Sequence, residues 1–285
     1  MQQRRRLILV EGIPGSGKTT IAEWIYTQLK EHDIQTALFL EGHPDHPADY
    51  ESTAYFTAQA FEDLLTRYPA ESDYLRSLVE QRDGVCCIPF LRAARAEEVS
   101  GQLLQELIKH DIYELESAQL HRRLIADRWR RFAARAADAN VVTIFECCFL
   151  QNPLVVLLGK HNLQEDAVGQ VHDLADIIRP LNPVVVYLAP ADVRATLEQA
   201  RRERPQRWAD RVGEYFSEQA WGRVHGVRGY EGIIRFHELR QALDLEILAS
   251  IGLETYILEA PEEDWDAARA TLRRHILVER EHAER

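Results

Sequence analysis

The feature that most constrains this chain is the apolar run Leu7-Ile8-Leu9-Val10, which passes through Glu11 into Gly12-Ile13-Pro14-Gly15-Ser16-Gly17-Lys18-Thr19. A G-x-x-x-x-G-K-T pattern after such a run demands a strand, a tight turn and a helix in succession, because the backbone curls that closely only where side chains are missing. A turn of this kind aims several N–H groups and the positive end of the helix dipole at a single anion. The expected ligand is a nucleoside triphosphate, ATP, held with Mg2+. Gly12, Ile13, Pro14, Gly15, Ser16, Gly17, Lys18, Thr19 and Thr20 would surround the phosphates, Lys18 would reach the β- and γ-phosphates, and the Thr19 hydroxyl would bind the metal. The glycine spacing is G-x-x-G-x-G, so the G-x-G-x-x-G dinucleotide fingerprint is absent.

Four more continuous apolar runs follow: Ala37-Leu38-Phe39-Leu40, Val141 to Phe145, Val184 to Leu188 and Thr255 to Leu258. Continuous rather than alternating runs suit strands covered on both faces, and helical patterns separate them. The reading is one α/β domain over residues 1–285, with a doubly wound five-stranded parallel sheet. Ligands of such sheets sit at the carboxyl ends of the strands, so Glu11, Glu41, Glu146 and Ala189-Pro190 are the strand-end residues to watch.

Two intervals exceed what a crossover helix needs. The first, 48–110, reads as a helical insertion near an acceptor site: helices over Ala48 to Arg67, Ser72 to Glu80 and Ala94 to Lys109, with an extended segment over Gly84 to Leu91. A longer helix over Glu116 to Asp138 has Ile125, Trp129, Phe132 and Ala136 on one face. The second, 191–253, reads as a lid and further helical insertion. Helices are expected over Asp192 to Glu203, Arg207 to Trp221 and Arg235 to Ile251, and Gly222 to Gly232 is expected to be a mobile loop.

A net charge of -12 disfavours a nucleic-acid polymer as partner. No run is long enough to span a bilayer, and only four apolar residues separate Arg4-Arg5-Arg6 from Glu11, too few for a signal-peptide core, so a cytoplasmic location is expected. A homodimer is compatible with the sequence. The cysteines form two adjacent pairs, Cys86-Cys87 and Cys147-Cys148. Buried free thiols are the default reading, with a metal site or a regulatory disulfide as alternatives.

The stretch Val10-Glu11-Gly12-Ile13-Pro14-Gly15-Ser16-Gly17-Lys18-Thr19-Thr20 resembles the first strand and phosphate loop of thymidylate kinases and deoxynucleoside kinases. The resemblance covers the sheet frame, about half the chain, and implies the P-loop NTPase fold with strand order 2-3-1-4-5 and ATP-dependent phosphoryl transfer. It implies a general base or acceptor-binding role for Glu41, against a solvated strand-end carboxylate or helix cap, and a metal-binding role for Glu146, against a structural carboxylate. At the arginine position after the third strand this chain has Cys147. The resemblance further implies a lid in Arg201, Arg202, Arg204 and Arg207, where a solvated charged helix is the alternative. Arg128 or Arg135 would contact an anionic acceptor, or else lie over the core as ordinary surface arginines. His43, Asp45, His46 and Asp49 carry ligand-type side chains close together, open to acceptor contact, helix capping or a metal. The acceptor would be a small molecule, nucleoside or nucleotide by resemblance. The rival function is a nucleotide-dependent switch or NTPase in which the Ala191 to Leu253 region reports the bound state to a protein partner, with the Gly222 to Gly232 loop as a candidate for the segment that orders around the γ-phosphate.

Overall fold

The apolar runs become the strands of one parallel sheet in the computed structural model, which describes residues 5–204, 213 and 216–277. Its strands are β1 (Leu7–Gly12), β2 (Thr36–Phe39), β6 (Val142–Glu146), β7 (Val184–Ala189) and β8 (Glu254–Glu259), ordered β2-β6-β1-β7-β8. Every neighbouring pair is parallel. β1, β6 and β7 are buried along their whole lengths, as continuous apolar sequences require, whereas β2 and β8 are the half-buried edges.

Alternation of side chains assigns each strand residue to one face. Ile8, Val10, Ile144, Val186 and Leu188 pack with Ile21, Ala22, Ile25 and Leu29 of helix Lys18–Glu31 and with Leu272 of helix Trp265–Leu272. On the other face Phe145 meets Phe132 with ring centroids 4.6 Å apart. The registered partners Glu11 and Tyr187 also look to this face, toward helix Gly229–Ser250.

The chain divides into two compact units, Met1–Glu41 with Arg130–Arg285, and Gly42–Trp129. The interval 48–110, expected to be helical, lies within the second unit and is not all helical. The inserted unit carries an antiparallel sheet of β3 (Thr53–Thr57), β5 (Val85–Pro89) and β4 (Glu80–Arg82), in the order β3-β5-β4. Its own core includes Phe56, Phe61, Leu64, Leu75, Ile88 and Leu103.

The helix expected over Ala48 to Arg67 forms only from Ala58. The β-branched and aromatic residues Thr53, Tyr55, Phe56 and Thr57 pair with β5 instead, and the Thr57 hydroxyl caps the helix by accepting from Ala60 N at 3.2 Å. The helix expected over Ala94 to Lys109 is two helices, Phe90–Arg95 and Gly101–Ile108, the second capped by Ser100. The four buried positions Ile125, Trp129, Phe132 and Ala136 lie on helix Ala118–Asp138, as their spacing requires.

Gly222 to Gly232 is a loop only over residues 226–228, which join two helices. Gly222 sits inside helix Ala220–His225, and Gly232 inside helix Gly229–Ser250. A Cβ on Gly222 would lie 2.0 Å from the Phe216 carbonyl oxygen, so this glycine serves close packing rather than mobility. Arg207, and most of the helix expected from it to Trp221, lies outside the described residues. No helix among the described residues is long and apolar enough to cross a membrane.

Candidate functional site

The parallel sheet brings the carboxyl ends of β1, β2 and β6 side by side, with Val10 registered on Glu146 and Phe39 on Phe145. From there Gly12 to Gly17 turns into helix Lys18–Glu31. Gly17 holds the turn at φ 91°, and a Cβ there would meet the Trp265 ring at 2.6 Å. The opening amides of that helix have no acceptor within it, as at any helix start, and face outward with the dipole. Lys18, 6% exposed, folds back to donate from Nζ to the Ile13 carbonyl at 2.9 Å.

Three strand-end side chains meet beside this turn. Thr19 donates its hydroxyl to Glu146 Oε1 at 2.7 Å, and Glu146 Oε2 accepts from Glu41 N at 3.3 Å. Glu41 accepts from Gln151 Nε2 on Oε1 at 2.9 Å and from the Cys147 thiol on Oε2 at 3.6 Å. Ligand atoms of Glu41, Glu146 and Cys147 all fall within 4.8 Å of one another. Cys147 leaves β6 in the left-handed region, φ 69°, and its thiol is pushed well up, first by burial and then by the neighbouring carboxylates against the pull of Lys18.

Beneath the turn lies a buried polar network. Glu11, the last residue before Gly12, accepts from Phe149 N at 2.7 Å and Gln151 N at 3.2 Å, and so pins the segment that follows β6. Burial raises its pKa to about 7, against the lowering pull of those amides and of Arg240. Arg240, fully buried on helix Gly229–Ser250, reaches Gln151 Oε1 at 3.2 Å and the Gly12 carbonyl, and pairs with Asp244 at 3.2 Å. Tyr187 donates to the same Asp244 at 2.8 Å. Burial pushes the Asp244 carboxyl up, opposed by Arg240.

A cavity of about 390 Å3 opens on the turn. Pro14, Gly15, Gly17, Lys18, Thr19 and Thr20 form one side, and Glu41, Glu146 and Gln151 another. Gly12, Ile13 and Ser16 are buried and are not part of its wall. The arginine cluster divides. Arg204 reaches the cavity wall, whereas Arg201 stacks 4.7 Å from the Tyr230 ring centre and Arg202 bonds Gln199 at 2.9 Å. Arg194, two turns before Arg201, is held by Glu231 at 2.7 Å.

His43 and Arg128 belong to the Gly42–Trp129 unit. The Asp45 amide donates to His43 Nδ1 at 3.1 Å. Arg128 is neither an open anion contact nor a surface arginine there. It donates to Glu80 and to the His46 carbonyl, each at 2.8 Å, with its guanidinium 4.2 Å above the Tyr50 ring. Arg135 is exposed on its helix. The ligand-type loop is likewise occupied by internal bonds. Asp49 accepts from Tyr50 N and Tyr113, Asp45 pairs with Arg92 at 3.3 Å, and burial followed by Arg128 lowers His46 to a pKa of about 3. All four cysteines are buried, and none is in a disulfide.

As site residues, Arg240, Asp244, Tyr187 and His237 are absent from the sequence reading. A signal for two of them exists. Arg240 and Asp244 stand four apart, among the apolar positions Phe236, Leu243 and Ile247 of a helix, where a charge is unexpected without a partner. No known protein family matches the chain, and no curated protein matches it in sequence.

Proposed function

We propose that the protein is a P-loop kinase, transferring the γ-phosphoryl group of ATP with Mg2+ to a small-molecule acceptor. The observation that carries this reading is the Thr19 hydroxyl on Glu146 Oε1 at 2.7 Å, at the mouth of a Gly12 to Thr19 turn that opens a helix. Counted among themselves, the sheet strands run 2-3-1-4-5, the order that the resemblance to thymidylate and deoxynucleoside kinases implies.

Two hard oxygens, from Thr19 and Glu146, fit magnesium, which would neutralise charge on the phosphates. Lys18 exchanges the Ile13 carbonyl for the β- and γ-phosphates, and the helix amides hold the same oxygens. Glu41, its carboxylate oriented by Gln151, takes the proton of the attacking acceptor hydroxyl as that oxygen bonds to phosphorus and ADP leaves. Arg204 faces the charge that develops on the transferring group. A nucleoside or nucleotide is the acceptor class that the resemblance implies.

The test is calorimetric binding of Mg–ATP to wild type and to Lys18→Ala, with ATP turnover measured against pools of nucleosides, nucleotides and other hydroxyl metabolites. Binding that Lys18→Ala abolishes with the fold intact, together with a phosphorylated acceptor, is the expected result. Absence of binding to wild type, or equal binding to the variant, removes the reading. Binding without stimulation by any pool favours the nucleotide switch.

A further inference from the structure

Cys147 occupies a position from which its thiol reaches two carboxylates, an arrangement that the proposed reaction does not use. The Sγ stands 3.6 Å from Glu41 Oε2, and Glu146 supplies a further oxygen within 4.8 Å of both. Zinc-class ions take sulfur at about 2.3 Å and carboxylate oxygen at about 2.0–2.2 Å, so at a tetrahedral angle the two ligand atoms stand about 3.5–3.7 Å apart. The Cys147 to Glu41 separation already has that value.

A second observation lies on the wall of the cavity to which Glu41 and Glu146 also belong. His237 is 2% exposed, and its Nδ1 has no partner among the described residues. A buried ring nitrogen without a partner is costly, and this ring is held neutral by burial and by the charges of Arg240 and Lys18.

We propose that Glu41, Glu146 and Cys147 form a binding site for a zinc-class divalent cation in the nucleotide-free protein, completed from the cavity side. Magnesium takes oxygen ligands, whereas a site with one sulfur donor favours softer ions, so this site is distinct in selectivity from a Thr19–Glu146 magnesium site. Binding replaces the thiol proton by the metal: Cys147–SH and M2+ give Cys147–S–M+ and a proton released to solvent. On the kinase reading, an ion held in this way excludes magnesium from Glu146 and makes the site inhibitory.

The test uses the full chain without nucleotide and Co2+ as probe. Titration should raise a thiolate-to-cobalt charge-transfer band that saturates at one ion per chain and is bleached by Zn2+. Cys147→Ser should abolish the band, and Cys148→Ser should keep it. Absence of the band, or its survival in Cys147→Ser, overturns the proposal. Zinc-edge X-ray absorption on wild type provides a check that needs no variant: one sulfur among oxygen or nitrogen neighbours is expected, and a shell with none or with several sulfurs refutes it. With no nucleotide present, these outcomes are independent of whether ATP binds.

Discussion

Arg240 donates from Nη1 to Oε1 of Gln151 at 3.2 Å, and this bond fixes the direction of the Gln151 amide. A guanidinium has no acceptor, so the amide must turn its oxygen toward Arg240 and its NH2 toward Glu41. The same arginine holds the Gly12 carbonyl and Asp244. One buried side chain thus ties the glycine turn to the carboxylate proposed to accept a proton. Arg240→Met should cost about 3–5 kcal/mol in urea unfolding, because it leaves Asp244 buried without its cation. Arg240→Met with Asp244→Leu should recover much of that loss. A double variant as unstable as the single one would show that the Gly12 and Gln151 bonds, not the ion pair, dominate.

Glu41→Gln should separate chemistry from binding. Glu41 sits beyond the end of β2 and is exposed, so its loss should leave the fold and Mg–ATP binding unchanged. On the kinase reading kcat should fall by about 10²–10⁴-fold, the usual contribution of a positioned base. Equal loss of affinity and turnover would remove the base assignment.

The parallel sheet was legible because residues buried on both faces must be apolar in succession, as at Leu7 to Val10 and Val184 to Leu188. The inserted sheet was hidden for the opposite reason. β4, Glu80-Gln81-Arg82, is three exposed polar residues, and β3 carries both its apolar and its hydroxyl residues through a tertiary pairing with β5. Of the site, the glycine turn, Glu41 and Glu146 were legible from strand ends. Arg240 and Asp244 were not, since nearly ninety residues separate Gln151 from Arg240 in the chain and only folding brings them together. The glycines from Gly222 to Gly232 misled because a glycine serves close packing at Gly222 and a left-handed turn at Gly226 and Gly229, and neither purpose requires a long mobile loop.

Gly17→Ala tests whether the turn tolerates any side chain. Its φ of 91° disfavours an L-residue, and the added methyl would stand 2.6 Å from Trp265. A cost of about 1–3 kcal/mol is expected from the backbone conformation. Trp265→Ala removes the clash but not the φ, so Gly17→Ala should cost less in the Trp265→Ala background than in the wild type, and still more than nothing. Wild-type stability in Gly17→Ala would show that the turn is not held in the left-handed region.

Glu11 should make stability fall with rising pH. In the folded protein its carboxyl holds a proton up to about pH 7, because burial disfavours the charge, whereas the unfolded chain releases it near 4.5. Between those values the folded state binds more protons than the unfolded one, so stability declines through that window and levels off above it. The difference between 4.5 and about 7 corresponds to about 3 kcal/mol. Glu11→Gln cannot ionise and should lack this slope. It also turns an NH2 toward one of the Phe149 and Gln151 amides, a constant offset of about 1–3 kcal/mol. Urea unfolding of both proteins across this pH range should therefore give curves that converge as pH rises. Parallel curves would mean that Glu11 is already ionised in the fold and that its two backbone amides, with Arg240, outweigh its burial.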